Sequence, residues 1–294
     1  MKSVYTMAEL PELAAVQPVV RLGVIGNPIA HSISPPMQQA ALDAAQLPLT
    51  YIRLLCERGE GDFPSLIRAL QRAGFVGVNV TVPFKKQAYA LADRADALSR
   101  LCGAANTLLF CEDGTVECFN TDGPGFARAI EALCGRQLRE LRVALLGACG
   151  GAGSALAAQC VLAGCPALAL VNRPRPELQQ MAAALLPHAP AGAQISAHAF
   201  AEAEPAIRSA DLVVNATSLG LAAGDAPPIP PEWLSPGQVV YDIVTHDTAL
   251  VSAAKQRGCT ASTGQSMLLW QGALAFEHWF GQLPAVELMG RALS

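Results

Sequence analysis

Residues 143–172 read VALLGACGGAGSALAAQCVLAGCPALALVN, and no charged residue falls among them. The stretch exceeds the roughly 20 apolar residues that a bilayer span requires, and a mean hydropathy of +0.32 for the whole chain keeps a membrane reading open. The interruptions decide otherwise. Gly147, Gly150, Gly151, Gly153, Ser154, Gln159 and Pro166 divide the stretch into an apolar run, a glycine cluster, an alanine-rich segment, Gly164 and a second apolar run. That is the pattern strand, loop, helix, strand. Strands of a parallel sheet covered by helices on both faces are buried on both sides and read as continuous apolar runs. The stretch therefore predicts a buried βαβ unit.

Composition agrees. A chain of 294 residues suggests about two domains. With 52% hydrophobic and 15% charged residues, against a globular norm of about 25% charged, disorder is excluded. The net charge is −4 and no basic run occurs, so the electrostatic footprint of a nucleic-acid partner is missing. The N-terminal MKSVYTMAELPELAAVQP carries acidic residues and prolines where a signal peptide needs an unbroken apolar core, so a cytoplasmic location without a membrane partner is expected. The nine cysteines form no C-x-x-C pair and the five histidines no H-E-x-x-H motif. Neither a disulfide framework nor a metal site is expected.

Short apolar runs alternate with helical segments along the whole chain, the signature of an α/β fold. Val19 to Gly26, Leu49 to Cys56 and Val76 to Val82 read as strands. Pro35 to Ala45, Phe63 to Gly74 and Pro83 to Arg100 read as helices. Asn106 to Cys111 and Thr115 to Asn120 flank Glu112-Asp113-Gly114, a hairpin signal. A helix opens after Asp122 and another runs from about Met267 to Phe280.

In a dinucleotide-binding βαβ unit, G-x-G-x-x-G after the first strand makes a tight turn, admits the pyrophosphate to the backbone and aims a helix N-terminus at it. Two registers compete here. One begins at Gly147 and keeps a single glycine of three, with Cys149 and Ala152 in the other places; one begins at Ala148 and keeps Gly150 and Gly153. The second is preferred because it retains the glycines for phosphate approach and helix packing. Asn172 and Arg173 end the next strand, with Arg175 nearby. An acidic residue there would suit the ribose hydroxyl of NAD, whereas cations suit the 2′-phosphate of NADP.

Three polar clusters interrupt the apolar first half. Ser34, with Pro35 after it, reads as an N-cap, and Ser32 and Ser34 together at a helix N-terminus suit a small carboxylate. Alternation puts Asn79 and Thr81 on one face of a strand end, with Lys85 a turn later; a lysine in a partly dry pocket can exchange a proton. Asn106-Thr107 and Asn120-Thr121-Asp122 set amides and a carboxylate at further strand ends. Such groups suit a ligand rich in hydroxyls.

These segments, together with Gly103-Ala104-Ala105-Asn106-Thr107, Asn215-Ala216-Thr217-Ser218-Leu219-Gly220 and Gly264-Gln265-Ser266-Met267-Leu268-Leu269-Trp270-Gln271, resemble the shikimate dehydrogenase family in order and spacing. The match covers roughly residues 20 to 282. It implies an N-terminal α/β substrate domain over 19–122, completed by helices in 264–294, and a Rossmann-type doubly wound NAD(P)-binding domain over 123–263, with 1–18 as an extension. It also implies reversible reduction of 3-dehydroshikimate to shikimate. Carried onto this chain, Lys85 and Asp122 resemble the catalytic pair. Ser32 and Ser34 would hold the substrate carboxylate, and Thr81, Asn106 and Gln271, with Asn79, the ring hydroxyls. Thr217, Ser218 and Gly264 join Ala148, Gly150, Gly151, Gly153, Asn172, Arg173 and Arg175 on the cofactor side.

Three departures stand out. Thr245 occupies the place of a carboxylate-binding tyrosine; Pro174 and Glu177 replace a hydroxyl and a cation of the NADP-preferring pattern; and the glycine loop carries Ala148 and Cys149. NADP is the expected cofactor with NAD as the alternative, and the partner is a cyclic polyol carboxylate bound by a monomer or homodimer. A quinate or aminoshikimate dehydrogenase using NAD is the alternative activity. A catalytically idle ligand sensor is the alternative of another class.

Overall fold

The computed structural model describes residues 2–57, 59 and 62–293, so Met1 and Ser294, at the ends of the expected extension and C-terminal completion, lie outside the described residues. The chain forms two units, Met1–Thr121 with Leu269–Ser294, and Asp122–Leu268.

The first unit contains β1 (Val19–Gly26), α1 (Ser34–Ala44), β2 (Leu49–Leu55), α2 (Asp62–Arg72), β3 (Gly77–Val80), α3 (Lys85–Leu91), β4 (Arg94–Ala95), α4 (Ala97–Cys102), β5 (Thr107–Phe110) and β6 (Val116–Phe119). Its six-stranded sheet runs β2-β1-β3-β5-β6-β4. β1 pairs in parallel with β2 and β3, while β5 runs antiparallel to both β3 and β6. The sheet is buried by one cluster holding Ile25, Phe63, Leu66 and Val78 and by another holding Leu22, Met37 and Phe276. The first residues belong to this unit too: Tyr5 bridges to Leu54, and Leu10 and Leu13 of a 3-10 segment, Met7–Ala15, are buried.

The single helix expected over Pro83 to Arg100 is instead α3, β4 and α4. Contacts to β6 break it. The Asp93 carboxylate accepts the Val116 N–H at 2.8 Å, Arg94 pairs with Glu117 at 2.8 Å, and Asp96 caps α4 by accepting the Ser99 N–H at 2.7 Å. These long-range partners outweigh local helix propensity.

The second unit contains α5 (Asp122–Cys134), β7 (Arg142–Leu146), α6 (Gly151–Leu162), β8 (Ala167–Asn172), α7 (Pro176–Leu185), β9 (Gln194–Ala199), α8 (Glu204–Ser209), β10 (Leu212–Asn215), β11 (Val239–Asp242), α9 (Ala249–Gln256) and β12 (Thr260–Ser262). Every strand pair is parallel, in the order β12-β11-β10-β7-β8-β9. This is the doubly wound dinucleotide-binding order, whose switch point falls between β7 and β10. The charge-free stretch folds as β7, α6 and β8, and no helix among the described residues is long and apolar enough to cross a membrane. Two further helices, α10 (Gln265–Phe280) and α11 (Val286–Arg291), return the chain to the first unit at Leu269.

Candidate active site

In the first unit, Ser34 is the first residue of α1 and Pro35 the second. Ser34 is not the N-cap expected from the sequence. Ile33 holds that place with no side-chain cap, and it is the Ser32 hydroxyl that accepts the Ser34 N–H, at 3.3 Å. The helix begins one residue early, so Ser34 needs no capping bond and its hydroxyl is bonded to none of the described residues. Arg53 grips the same loop, donating from Nε and Nη2 to the Ser32 carbonyl at 2.9 and 2.6 Å. Composition gave no hint of this guanidinium.

Thr81 and Lys85 flank a turn closed by the Phe84 N–H on the Thr81 carbonyl at 3.0 Å. Phe84 is buried and stacks on Phe63 with ring centroids 5.1 Å apart, which pins the start of α3 at Lys85. The Lys85 carbonyl accepts the Ala105 N–H at 2.9 Å, tying the lysine's backbone beside Asn106.

Asn106 is the centre of a buried polar network. Its Nδ2 donates to the Thr121 hydroxyl at 3.0 Å and to Gln271 Oε1 at 3.4 Å, and its Oδ1 accepts the Thr121 N–H at 2.8 Å. Behind it, Asn79 donates to Thr107 Oγ1 at 3.1 Å and to the Asn106 carbonyl at 3.3 Å, and accepts the Tyr51 hydroxyl at 2.8 Å. Both amide hydrogens of Asn79 are thus committed to protein. Buried amides satisfied this way rigidify their surroundings, because breaking one bond leaves a desolvated group unpaired. The structure thereby joins Asn79, Asn106 and Gln271, three residues far apart in the chain, in one network.

In the second unit, Asp122 is the buried first residue of α5. A cleft of about 660 Å³ opens at the C-terminal ends of β7, β8, β9 and β10. Gly150, Asn172, Arg173, Arg175, Thr217 and Ser218, all expected from the sequence, line it. Ala148 does not: it is wholly buried, and Gly147 and Cys149 line the cleft in its stead. The tight turn is made at Gly147, whose φ is +81° and whose absent Cβ would lie 2.8 Å from the Ala216–Thr217 backbone. Gly151 and Gly153 lie in the first turn of α6, and Gly264, whose N–H bonds the Val244 carbonyl at 2.8 Å, precedes α10; none of the three lines the cleft. Thr245 is exposed in the turn after β11. Ala216 and Leu219, from the Asn215–Gly220 segment, and Phe200 and Pro228, which no motif in the sequence marks, complete the wall.

Behind that wall lies a second network that sequence reasoning missed. Asp242, fully buried, accepts Asn215 Nδ2 at 3.0 Å, the Val244 N–H at 3.1 Å and the Thr248 hydroxyl at 2.8 Å. Burial pushes its carboxyl pKa up, and those three bonds oppose the shift. The available signal was a polar residue closing each of two apolar strands, Leu212–Asn215 and Val239–Asp242.

Residues 24–108 match the model of the shikimate dehydrogenase substrate binding domain, and residues 264–293 that of the shikimate 5′-dehydrogenase C-terminal domain. Over 280 residues the chain is 38% identical to a shikimate dehydrogenase (NADP(+)) of Moorella thermoacetica, covering 92% of each chain. The chain belongs to the shikimate dehydrogenase family. It is an enzyme of the NAD(P)-dependent shikimate/quinate dehydrogenase class. The family resemblance extends to solved structures. Shikimate 5-dehydrogenase of Thermus thermophilus, in complex with NADP(H) and shikimate, superposes with a TM-score of 0.81 at 35% identity, covering 93% of this chain and 98% of that one. Quinate dehydrogenase of Corynebacterium glutamicum, in complex with NAD, does so with a TM-score of 0.84 at 30% identity, over 93% and 98%.

Proposed function

We propose that this shikimate dehydrogenase family member reversibly reduces 3-dehydroshikimate to shikimate with NADPH, the first unit binding the polyol acid and the second the nucleotide. The observation that carries the reading is the Asn106 network, which ends at Thr121 immediately before Asp122. It gathers Asn106, Thr121 and Gln271 as the side chains for ring hydroxyls, while a separate pair at the start of α1, Ser32 and Ser34, would hold the carboxylate. Thr81 and Gln271 bind hydroxyls beside Asn106, and Asn79 acts by holding Asn106 and Thr107. Lys85 exchanges the proton at the reacting oxygen, and Asp122 is the second member of the catalytic pair that the family resemblance implies.

The cleft suits a dinucleotide. Gly147 makes its tight turn against the Ala216–Thr217 backbone, and Gly150, whose N–H bonds the Gly147 carbonyl at 2.9 Å, is the N-cap of α6, so a helix N-terminus opens beside the cleft for the pyrophosphate. NADP(H), when bound, supplies the hydride; the protein supplies position and a proton. Arg173 and Arg175, exposed at the end of β8, favour a 2′-phosphate over a bare ribose hydroxyl, and outweigh Glu177 in the first turn of α7.

A second reading, quinate oxidation with NAD, draws support from Thr245 in place of tyrosine and from the likeness to the Corynebacterium enzyme. Initial rates with shikimate and quinate, each with NADP and NAD, separate the two. The first reading expects the highest kcat/KM for shikimate with NADP. The highest value for quinate with NAD would replace it with the second, and no turnover of either acid would sink both.

A further inference from the structure

Asn215 and Asp242 are register partners at the ends of β10 and β11. Asp242 receives donors on both carboxylate oxygens, so toward Asn215 it acts as an acceptor. The Asn215 amide therefore has one tolerable orientation: Nδ2 faces Asp242 and the Leu219 carbonyl, at 3.0 and 3.1 Å, since a flipped amide would set its oxygen against two acceptors. Oδ1 is left to accept from Thr217, at 3.0 Å from its N–H and 2.7 Å from its hydroxyl. The Thr217 hydroxyl, having spent its proton, also accepts the Leu219 N–H at 3.1 Å. One lone pair remains, on a residue that lines the nucleotide cleft.

We propose that Asp242 is a positioning residue which, through Asn215, makes Thr217 an obligate hydrogen-bond acceptor toward the bound nucleotide, selecting an O–H or N–H donor such as a ribose hydroxyl or the nicotinamide carboxamide. A phosphate oxygen, itself an acceptor, is rejected at this point, and the pyrophosphate is left to the backbone beside Gly147 and Gly150. The wall is rigid there. The Ala216–Thr217 peptide abuts Gly147, and Gly220, with φ +105°, packs on Thr248, whose hydroxyl holds the far oxygen of Asp242. This inference rests on the reading of the cleft as the nucleotide site.

Calorimetric titration of NADP+ into the full-length protein tests it, together with steady-state KM values for both substrates. Asp242→Ala is expected to raise the NADP+ Kd about tenfold, the factor corresponding to one lost hydrogen bond. Asp242→Asn, whose amide oxygen can still accept from Asn215 and Val244, is expected to stay within about threefold. Thr217→Val should match Asp242→Ala, and the double variant should be no weaker than either alone. The KM for shikimate should not move, whereas a general loss of structure would move both. With the 3-acetylpyridine analogue of NADP+, which lacks the carboxamide N–H, the Thr217→Val effect disappears if the donor is the carboxamide and persists if it is a ribose hydroxyl.

A folded Asp242→Ala protein with wild-type Kd, or additive losses in the double variant, overturns the inference. Should Asp242→Ala not fold, Asn215→Ala decides: it removes the acceptor that holds the Thr217 proton, so it should raise the NADP+ Kd about tenfold with no further loss when combined with Thr217→Val, and a wild-type Kd in the folded Asn215→Ala or Thr217→Val protein is fatal to the idea. Wild-type protein that binds neither NADP+ nor NAD+ overturns the reading of the cleft itself.

Discussion

Gly153 packs backbone to backbone on Gly147: a Cβ on Gly153 would lie 2.3 Å from the Gly147 carbonyl oxygen and 2.9 Å from that of Ala148. The neighbours are main chain and cannot turn aside. Gly153→Ala must therefore push α6 away from the turn after β7, at a cost of about 1–3 kcal/mol, the range for overpacking. A lowered Tm and a weaker NADP+ Kd are expected together, because the same turn lines the cleft. An unchanged Tm would show that the helix has slack here.

Lys85→Ala should lower kcat by at least about a hundredfold, the lower end for a lost acid–base group. The fold should survive, since α3 is anchored by Phe84 and by the Ala105 N–H on the Lys85 carbonyl. Circular dichroism and thermal melting check the second point while turnover checks the first. Normal kcat in a folded Lys85→Ala protein removes the lysine from the chemistry.

Arg173 and Arg175 stand exposed at the mouth of the cleft. Charge-assisted bonds to phosphate contribute about 1.5–3 kcal/mol each, so Arg173→Ser and Arg175→Ser should each raise the KM for NADP about tenfold or more. The KM for NAD, which has no 2′-phosphate, should stay within about twofold. Equal losses for both cofactors would mean that the arginines do not read the phosphate.

The His278 imidazole stacks on Phe119 with centroids 3.7 Å apart, and burial lowers its pKa from 6.5, opposed by Asp96, Glu277 and Glu117. The sign follows. The unfolded chain takes up a proton near pH 6.5 that the folded chain resists, so this group favours unfolding as pH falls below that value, until the folded histidine is also protonated. Urea denaturation from about pH 7 down to pH 5 should show a steeper loss of stability for the wild type than for His278→Asn. Coincident pH slopes would leave the stacked ring without an electrostatic consequence.

Much of this was legible along the chain. The order of β7, α6 and β8 follows from where the glycines fall in a charge-free run, and β1 appears over Val19–Gly26, the span read from its apolar residues. Local rules failed where a distant partner intervened. Asp93 and Asp96 looked like helix residues until Val116 of β6 and Asn120 just after it presented backbone donors to them. Ala148 matched a glycine's place in the motif, yet the turn is made one residue earlier, because only Gly147 can approach the Ala216–Thr217 peptide. Asn79 read as a ligand-facing amide, and the fold commits its hydrogens to Asn106 and Thr107.

The sequence by itself determined the α/β class, the nucleotide-binding βαβ unit and the polar clusters at strand ends, because hydrophobic period, glycine placement and motif order are properties of neighbouring residues. Tertiary structure alone decided the strand orders and the hydrogen-bond partners. The Asn106 amide meets Gln271, and Asp242 meets Asn215, across separations that no local pattern spans. Burial then makes those meetings consequential: an amide or carboxylate removed from water must find its partner inside the protein, and which atom is left to face a ligand depends on how that requirement is met.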